Sequence, residues 1–285
     1  MNKSIKNSGG QIASAIIFPM LIVVMTSVAG IFGLMNWSAR LSDESAEESQ
    51  QKLVGGALQL TQNYITKQQT GVVIWDEAFR AVKEPAVNDR WIRDNMMNWL
   101  ASNHGFSKSV LFDSAFNVAS IFSEDHDSDW MTPGLIEEMA PAIAKARARY
   151  ITSFQPTPSG LYRFTPKGET APHSIAETGI VSLLGEPHLF TAAAVVPQIQ
   201  AIFSERKAPA VLVSLIPLRG QKLNNISDMS RLQGFVLAQD QIDRNGVGTY
   251  ELQSPRGKNI GVIAWQASRP GSQMLQRITT FLAVA

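Results

Sequence analysis

The apolar and polar positions divide the chain into a greasy N-terminal run and a long patterned remainder. From Ile12 to Met35 there is no charged side chain, and only Ser14, Pro19, Thr26, Ser27 and a few small residues interrupt the apolar character. A helix of that length, at ~1.5 Å rise per residue, spans the ~30 Å hydrocarbon core of a bilayer. Lys3 and Lys6 precede the run, and Arg40 follows it among Asp43, Glu44, Glu47 and Glu48. Orientation follows the Lys/Arg excess and largely ignores acidic residues, so residues 1–11 are expected in the cytoplasm and everything from about Trp37 onward outside it. The rival reading is a secretory leader cut after Ala29. Apolar character continues past that point through Ile31, Phe32, Leu34 and Met35, which favours a retained anchor over 12–35. Either way the rest of the chain is exported.

Asn36 to Lys52 is polar and acid-rich and lacks proline and glycine, so the membrane helix is expected to continue as a solvated stalk over 36–60, with a bend at Gly55-Gly56. Beyond Thr61, the residues Ile65, Val72, Trp75, Phe79 and Val82 recur at helical spacing, predicting one helix to about Lys83, stopped by Pro85. A second helix, Asp89 to Ser102, carries Trp91, Ile92, Met96, Trp99 and Leu100 on its apolar side and ends at Asn103 to Gly105.

The period then shortens to that of strands. Ser109 to Asp113 and Phe116 to Phe122 read as a hairpin. Thr132 and Pro133 open a helix to about Tyr150, in which Pro141 predicts a kink or break. Gln155 to Pro172 reads as an irregular surface excursion, and Ile175–Leu184, His188–Pro197 and Ala208–Pro217 as central strands. This order of strand, strand, helix and three strands predicts an α+β chain. Its sensor lobe, residues 61–221, would be a PAS-like antiparallel sheet with the long helix packed along it. Residues 222–271, with a helix near Ile226 to Leu232 and strands near 234–239, 248–253 and 259–265, form either a small membrane-proximal lobe or an extension of that sheet. Residues 272–285 turn apolar again behind Arg277. They read as the start of a second transmembrane helix or as an ordinary amphipathic tail.

Composition narrows the chemistry. With 45% hydrophobic and 17% charged residues in 285, the chain is globular, and a net charge of +1 without a basic run gives no reason to expect nucleic acid. Cysteine is absent, which excludes disulfides, thiolate catalysis and thiolate metal sites. HExxH, GxSxG, a P-loop and GxGxxG are missing, and His104, His126, His173 and His188 show no metal-ligand spacing. Asp125, Asp127 and Asp129 alternate like the start of a calcium loop, but Trp130 stands where glycine is needed and Ile136 where glutamate is needed, so a solvated acidic loop is expected. Neither a metal, a cofactor nor a catalytic residue is assigned.

Trp75-Asp76-Glu77-Ala78-Phe79 resembles the tryptophan-aspartate-acid-small-aromatic signature of the fourth class of CHASE domains, extracellular sensory modules of bacterial signalling enzymes. The order that follows is similar too: a second Trp-bearing helix, Gly105-Phe106, the strand Val110-Leu111-Phe112-Asp113, and Trp265, Arg269, Pro270 and Gly271 at the close. The resemblance covers about residues 40–275. It implies a non-enzymatic, ligand-sensing input domain at the bacterial inner membrane, facing the periplasm. It also implies relay of the signal to cytoplasmic GGDEF or EAL domains of cyclic di-GMP turnover; the ligand is expected to be a small molecule and the relaying assembly a homodimer. None of those output motifs occurs here, which suggests a chain continuing beyond Ala285. The alternative is a single-anchor periplasmic enzyme or binding protein. The expected ligand-binding residues are Trp75, Asp76, Phe79, Trp91 and Phe112, a carboxylate among rings able to hold a cationic or hydrogen-bonding ligand. The plainer role for Asp76 is an ion pair with Arg80 one turn on.

Overall fold

A computed structural model describes residues 8–83, 87–127, 129–165, 175–238 and 246–284. Expectations for Lys3, Lys6, Pro85, His173 and Ala285 fall outside them. The chain divides into two compact units, Met1–Gln50 with Ala267–Ala285, and Gln51–Gln266.

The first unit holds the N-terminal part of α1 (Ser8–Val73) and α7 (Pro270–Val284). Every side chain from Ile17 to Leu34 is exposed, and among the described residues α1 is the one helix long and apolar enough to cross a membrane. Gly271 meets α1 where a Cβ would stand 2.1 Å from the Ala39 carbonyl oxygen, so only glycine fits. Asp43 accepts hydrogen bonds from the Gly271 N–H at 2.7 Å and the Ser272 N–H at 3.1 Å. A carboxylate there complements the partial positive charge of the helix start. Below this joint an apolar cavity of about 400 Å³ separates Leu34, Met35 and Ser38 from Met274, Leu275 and Ile278.

The second unit is built on five long antiparallel strands: β1 (Lys108–Phe112), β2 (Val118–Ser123), β5 (Ala176–Leu183), β6 (Glu186–Ala194) and β8 (Val211–Pro217). Their spatial order is β2-β1-β8-β6-β5, so the first and last strands lie side by side at the centre, as in a PAS-like sheet. Alternation of side chains gives the sheet two buried faces. Leu111, Leu189, Leu212 and Ile216 look towards the core that includes Val54, Ile65 and Val72 of α1. Val110, Phe112, Phe190 and Val213 look towards α5 (Pro133–Thr152) through Leu135, Met139 and Ile143.

Several expectations are corrected. The helix runs unbroken through Gly55-Gly56, where Gly55 lies against the Tyr250 ring and an added Cβ would be 3.2 Å from it. The stripe from Ile65 to Val82 is not one helix, because α1 ends at Val73 and α2 (Asp76–Lys83) begins afresh. Val72, Val73 and Ile74 are β-branched, and the backbone there pairs with a strand end instead: Ile74 bridges Val196, and the Val196 N–H donates to the Val73 carbonyl at 2.9 Å. α5 continues through Pro141 without a break, capped by Thr132, whose hydroxyl accepts from the Leu135 N–H. The stretch from Gln155 is not wholly irregular. β3 (Phe154–Pro156), β4 (Tyr162–Phe164) and β7 (Ala201–Phe203) form a small sheet, its residues too few for a periodic signal.

Residues 221–266 supply α6 (Gln221–Ser230) and a third sheet of β9 (Val236–Ala238), β10 (Val247–Gln253) and β11 (Asn259–Gln266). It does not extend the five-stranded sheet. Its Leu252, Ile263 and Trp265 nevertheless belong to the same core as α1.

Candidate functional site

The break between α1 and α2 carries the aromatic-acid motif. Trp75 begins α2, its carbonyl accepting from the Phe79 N–H at 2.9 Å. The Asp76 carboxylate accepts from the Gln198 N–H at 2.8 Å, tying the break to the chain beyond β6. Arg80 pairs with Glu77 at 3.0 Å, so the expected pair with Asp76 is replaced. Trp75 packs against Trp91 with ring centroids 5.0 Å apart.

Trp91 lies on α3 (Asp89–Ile92), which continues through a π-helical turn (Arg93–Met97) into α4 (Asn98–His104). Asn88 caps this run by accepting from the Trp91 N–H, and Gly105 in left-handed backbone (φ 75°) closes it. Ile92, Met96, Met97 and Leu100 are buried, and the extra residue of the π turn turns the polar side of the run towards β2.

Between that polar side and β2 runs an open groove of about 970 Å³. Asp89, Arg90, Arg93, Asp94 and Asn98 line one wall, and His126 and Asp127 follow the strand. All six residues of β2 line the other wall. Successive side chains of a strand point to opposite faces, so it is the strand's edge that runs along the groove, with backbone donors and acceptors not used by β1. Asp89 accepts from the Ser120 hydroxyl at 2.6 Å and pairs with Arg93 at 2.9 Å, fixing the wall to the strand. Arg90 stands 3.8 Å from Asp94, both exposed. Two guanidinium groups, three carboxylates, an amide, an imidazole and a strand edge can orient a polar or zwitterionic small molecule.

Behind the groove, Lys108 of β1 is buried and donates to the Ser123 hydroxyl at 2.6 Å and to Asp125. Hydrogen bonds from Lys108 and Ser123 hold the Asp125 carboxyl far below the usual carboxylate range. The loop expected to be merely solvated therefore supplies the counter-ion of a buried ammonium. Two histidines elsewhere are kept neutral: burial lowers the His188 pKa, and burial with the Lys222 charge lowers that of His104.

The five residues expected at the site do not converge. Trp75 and Trp91 touch. Phe79 packs edge-on against Phe203, and the Lys83 ammonium lies 4.9 Å from both rings, so that cation site is filled from within the chain. Phe112 is buried on the α5 face, stacked on Phe116 at 5.0 Å. The groove residues escaped the sequence reading because neither a π turn nor a free strand edge leaves a periodic mark. The visible trace is the pair of serines, Ser120 and Ser123, in an otherwise apolar strand.

A family model for the CHASE4 domain matches residues 57–234. Among solved structures, the periplasmic domain of Vibrio cholerae LuxQ is similar with 12% identity and a TM-score of 0.38, over 80% of this chain and 99% of that one. No protein of curated function matches.

Proposed function

Because the chain belongs to the CHASE4 domain family, we propose that it is the extracytoplasmic ligand-sensing input domain of a bacterial transmembrane signalling protein, anchored in the inner membrane by α1. In this reading a polar small molecule binds in the groove between β2 and the α3–α4 run. One observation carries it: α3 supplies both the groove wall, through Asp89 and Arg90, and Trp91, which packs on Trp75 at the end of α1. A ligand that draws the wall towards β2 therefore moves the ring against which the membrane helix ends. The shift requires different ligand affinity for two packings of that joint, since equal affinity moves nothing. The output, cyclic di-GMP turnover in a homodimer, follows from the family resemblance and belongs to the same proposal.

A thermal-shift screen of polar metabolites on the full chain in detergent tests the site. Hits are expected to lose their shift in Arg93→Ala and Asn98→Leu while the unliganded Tm changes by about 2 °C or less, as for exposed substitutions. Hits whose shifts survive both replacements place binding elsewhere.

A further inference from the structure

A line of hydroxyl side chains crosses the middle of the five-stranded sheet. The strand registers set Ser109 of β1 opposite Ser214 of β8, Ser214 opposite Thr191 of β6, and Thr191 opposite Thr178 of β5. Their same-face neighbours, Leu111, Leu212, Ile216, Leu189 and Ile180, belong to the core that packs on α1, so the line lies on that face. Such positions ordinarily carry Val, Ile or Leu. Ser109 donates to Ser214 at 2.9 Å, and both are fully buried. Thr191 is fully buried as well, and its hydroxyl has no hydrogen-bond partner among the described residues.

The helix above supplies a matching group. Gln69 of α1, also fully buried, donates from Nε2 to the Leu212 carbonyl at 2.6 Å, while its Oε1 has no partner among the described residues. Leu212 precedes Ser214 by one same-face step, ~7 Å along the strand. Gln69 thus reaches the sheet on the strand that carries Ser214, and two buried polar atoms without partners among the described residues, Gln69 Oε1 and Thr191 Oγ1, lie between α1 and the sheet. Each such group is destabilising unless something satisfies it, and buried polar groups of this kind are where proteins hold ordered molecules.

We propose that Gln69, Thr191 and the Ser109–Ser214 pair form a buried binding site for a small uncharged molecule that both donates and accepts hydrogen bonds, water or a solute of that chemistry. An ionic occupant is excluded, because the line offers only hydroxyls and an amide among aliphatic side chains and a charge would be left uncompensated. None of these residues lines the groove, so the site is separate from it. Its occupant touches α1 through Gln69, so filling or emptying it alters how that helix is seated on the sheet.

The sign of one substitution tests the site. Valine is nearly isosteric with threonine, and deleting a hydroxyl that has no partner stabilises a fold, whereas deleting one that holds a bound molecule destabilises it. In the full chain in detergent, Thr191→Val is expected to lower Tm by about 2–4 °C. The Thr191→Val, Gln69→Leu double variant is expected to lose less than the sum of the single losses, since both groups hold one molecule. A rise in Tm for Thr191→Val, or strictly additive losses, overturns the proposal. Should the variants fail to fold, a high-resolution crystal structure of the unmodified chain decides: density at ~2.7–3.2 Å from Gln69 Oε1 and Thr191 Oγ1 supports the site, and its absence overturns it. Titration with acetamide separates the sources. A saturating rise in Tm that Thr191→Val abolishes identifies an amide-like solute, and density without any such rise identifies water.

Discussion

Lys108 and Asp125 show how the cost of a buried charge depends on which partner is removed. The ammonium sits inside the sheet end, while its counter-ion stands at the surface. Asp125→Ala leaves a buried charge without its carboxylate, whereas Lys108→Met removes the charge and keeps the packing. Thermal denaturation is expected to rank Asp125→Ala as the more damaging of the two; equal losses would show that the pair contributes little. His188 sets a pH dependence. Burial lowers its folded-state pKa below 6.5, so the unfolded chain takes up a proton before the folded one does. Stability is then present at pH 7 and is lost as pH falls below about 6.5 towards the lower folded value. Asp125 and Asp113, held below their ordinary values, add their loss only at more acidic pH. His188→Gln is expected to flatten the Tm profile between pH 7 and 5.5, with the contribution of His104 left in place.

At the scale of elements, the joints matter more than the helices. Trp75 and Trp91 couple the end of α1 to α3, and a double-mutant cycle with alanine is expected to return a coupling of ~1 kcal/mol, typical of aromatic pairs. A coupling near zero would remove the link on which the relay depends. Asp76→Asn keeps an acceptor for the Gln198 N–H and should be nearly silent, whereas Asp76→Ala leaves that N–H without its partner. At the other joint, Gly271→Ala cannot be accommodated against the Ala39 carbonyl. Because the chain has no cysteine, Ser38→Cys with Met274→Cys, across the apolar cavity between α1 and α7, reports the joint directly. Oxidative cross-linking is expected to fall sharply when Gly271→Ala is added.

For the whole molecule, the shared core has a consequence for domain boundaries. Leu252, Ile263 and Trp265 from the last sheet pack in the core that holds α1, so residues 61–221 are expected to depend on that sheet for their stability. A fragment of residues 51–266 is expected to unfold cooperatively, and one of residues 51–221 to expose apolar surface and lose a sharp transition. Calorimetry of the two separates these outcomes. The groove, the hydroxyl line and the aromatic joint all lie within residues 51–266 and all touch α1 or its first contact, α3.

Periodicity determined the membrane-length apolar run, the α5 and α3–α4 helices and the long strands, because each is a repeat that its own residues impose. The family resemblance rested on a five-residue motif and on the order of elements around it over about residues 40–275, both legible along the chain. Tertiary structure decided where α1 ends, since a strand end competes for the Val73 carbonyl. It also decided that Phe112 faces away from Trp91, that Asp125 neutralises Lys108, and that Ser109, Ser214 and Thr191 stand in one line. The reason is common to all of these: register between strands, and pairing over separations from 17 residues for Lys108 and Asp125 to 105 for Ser109 and Ser214, depend on the assembled sheet, and no single helix or strand contains both partners.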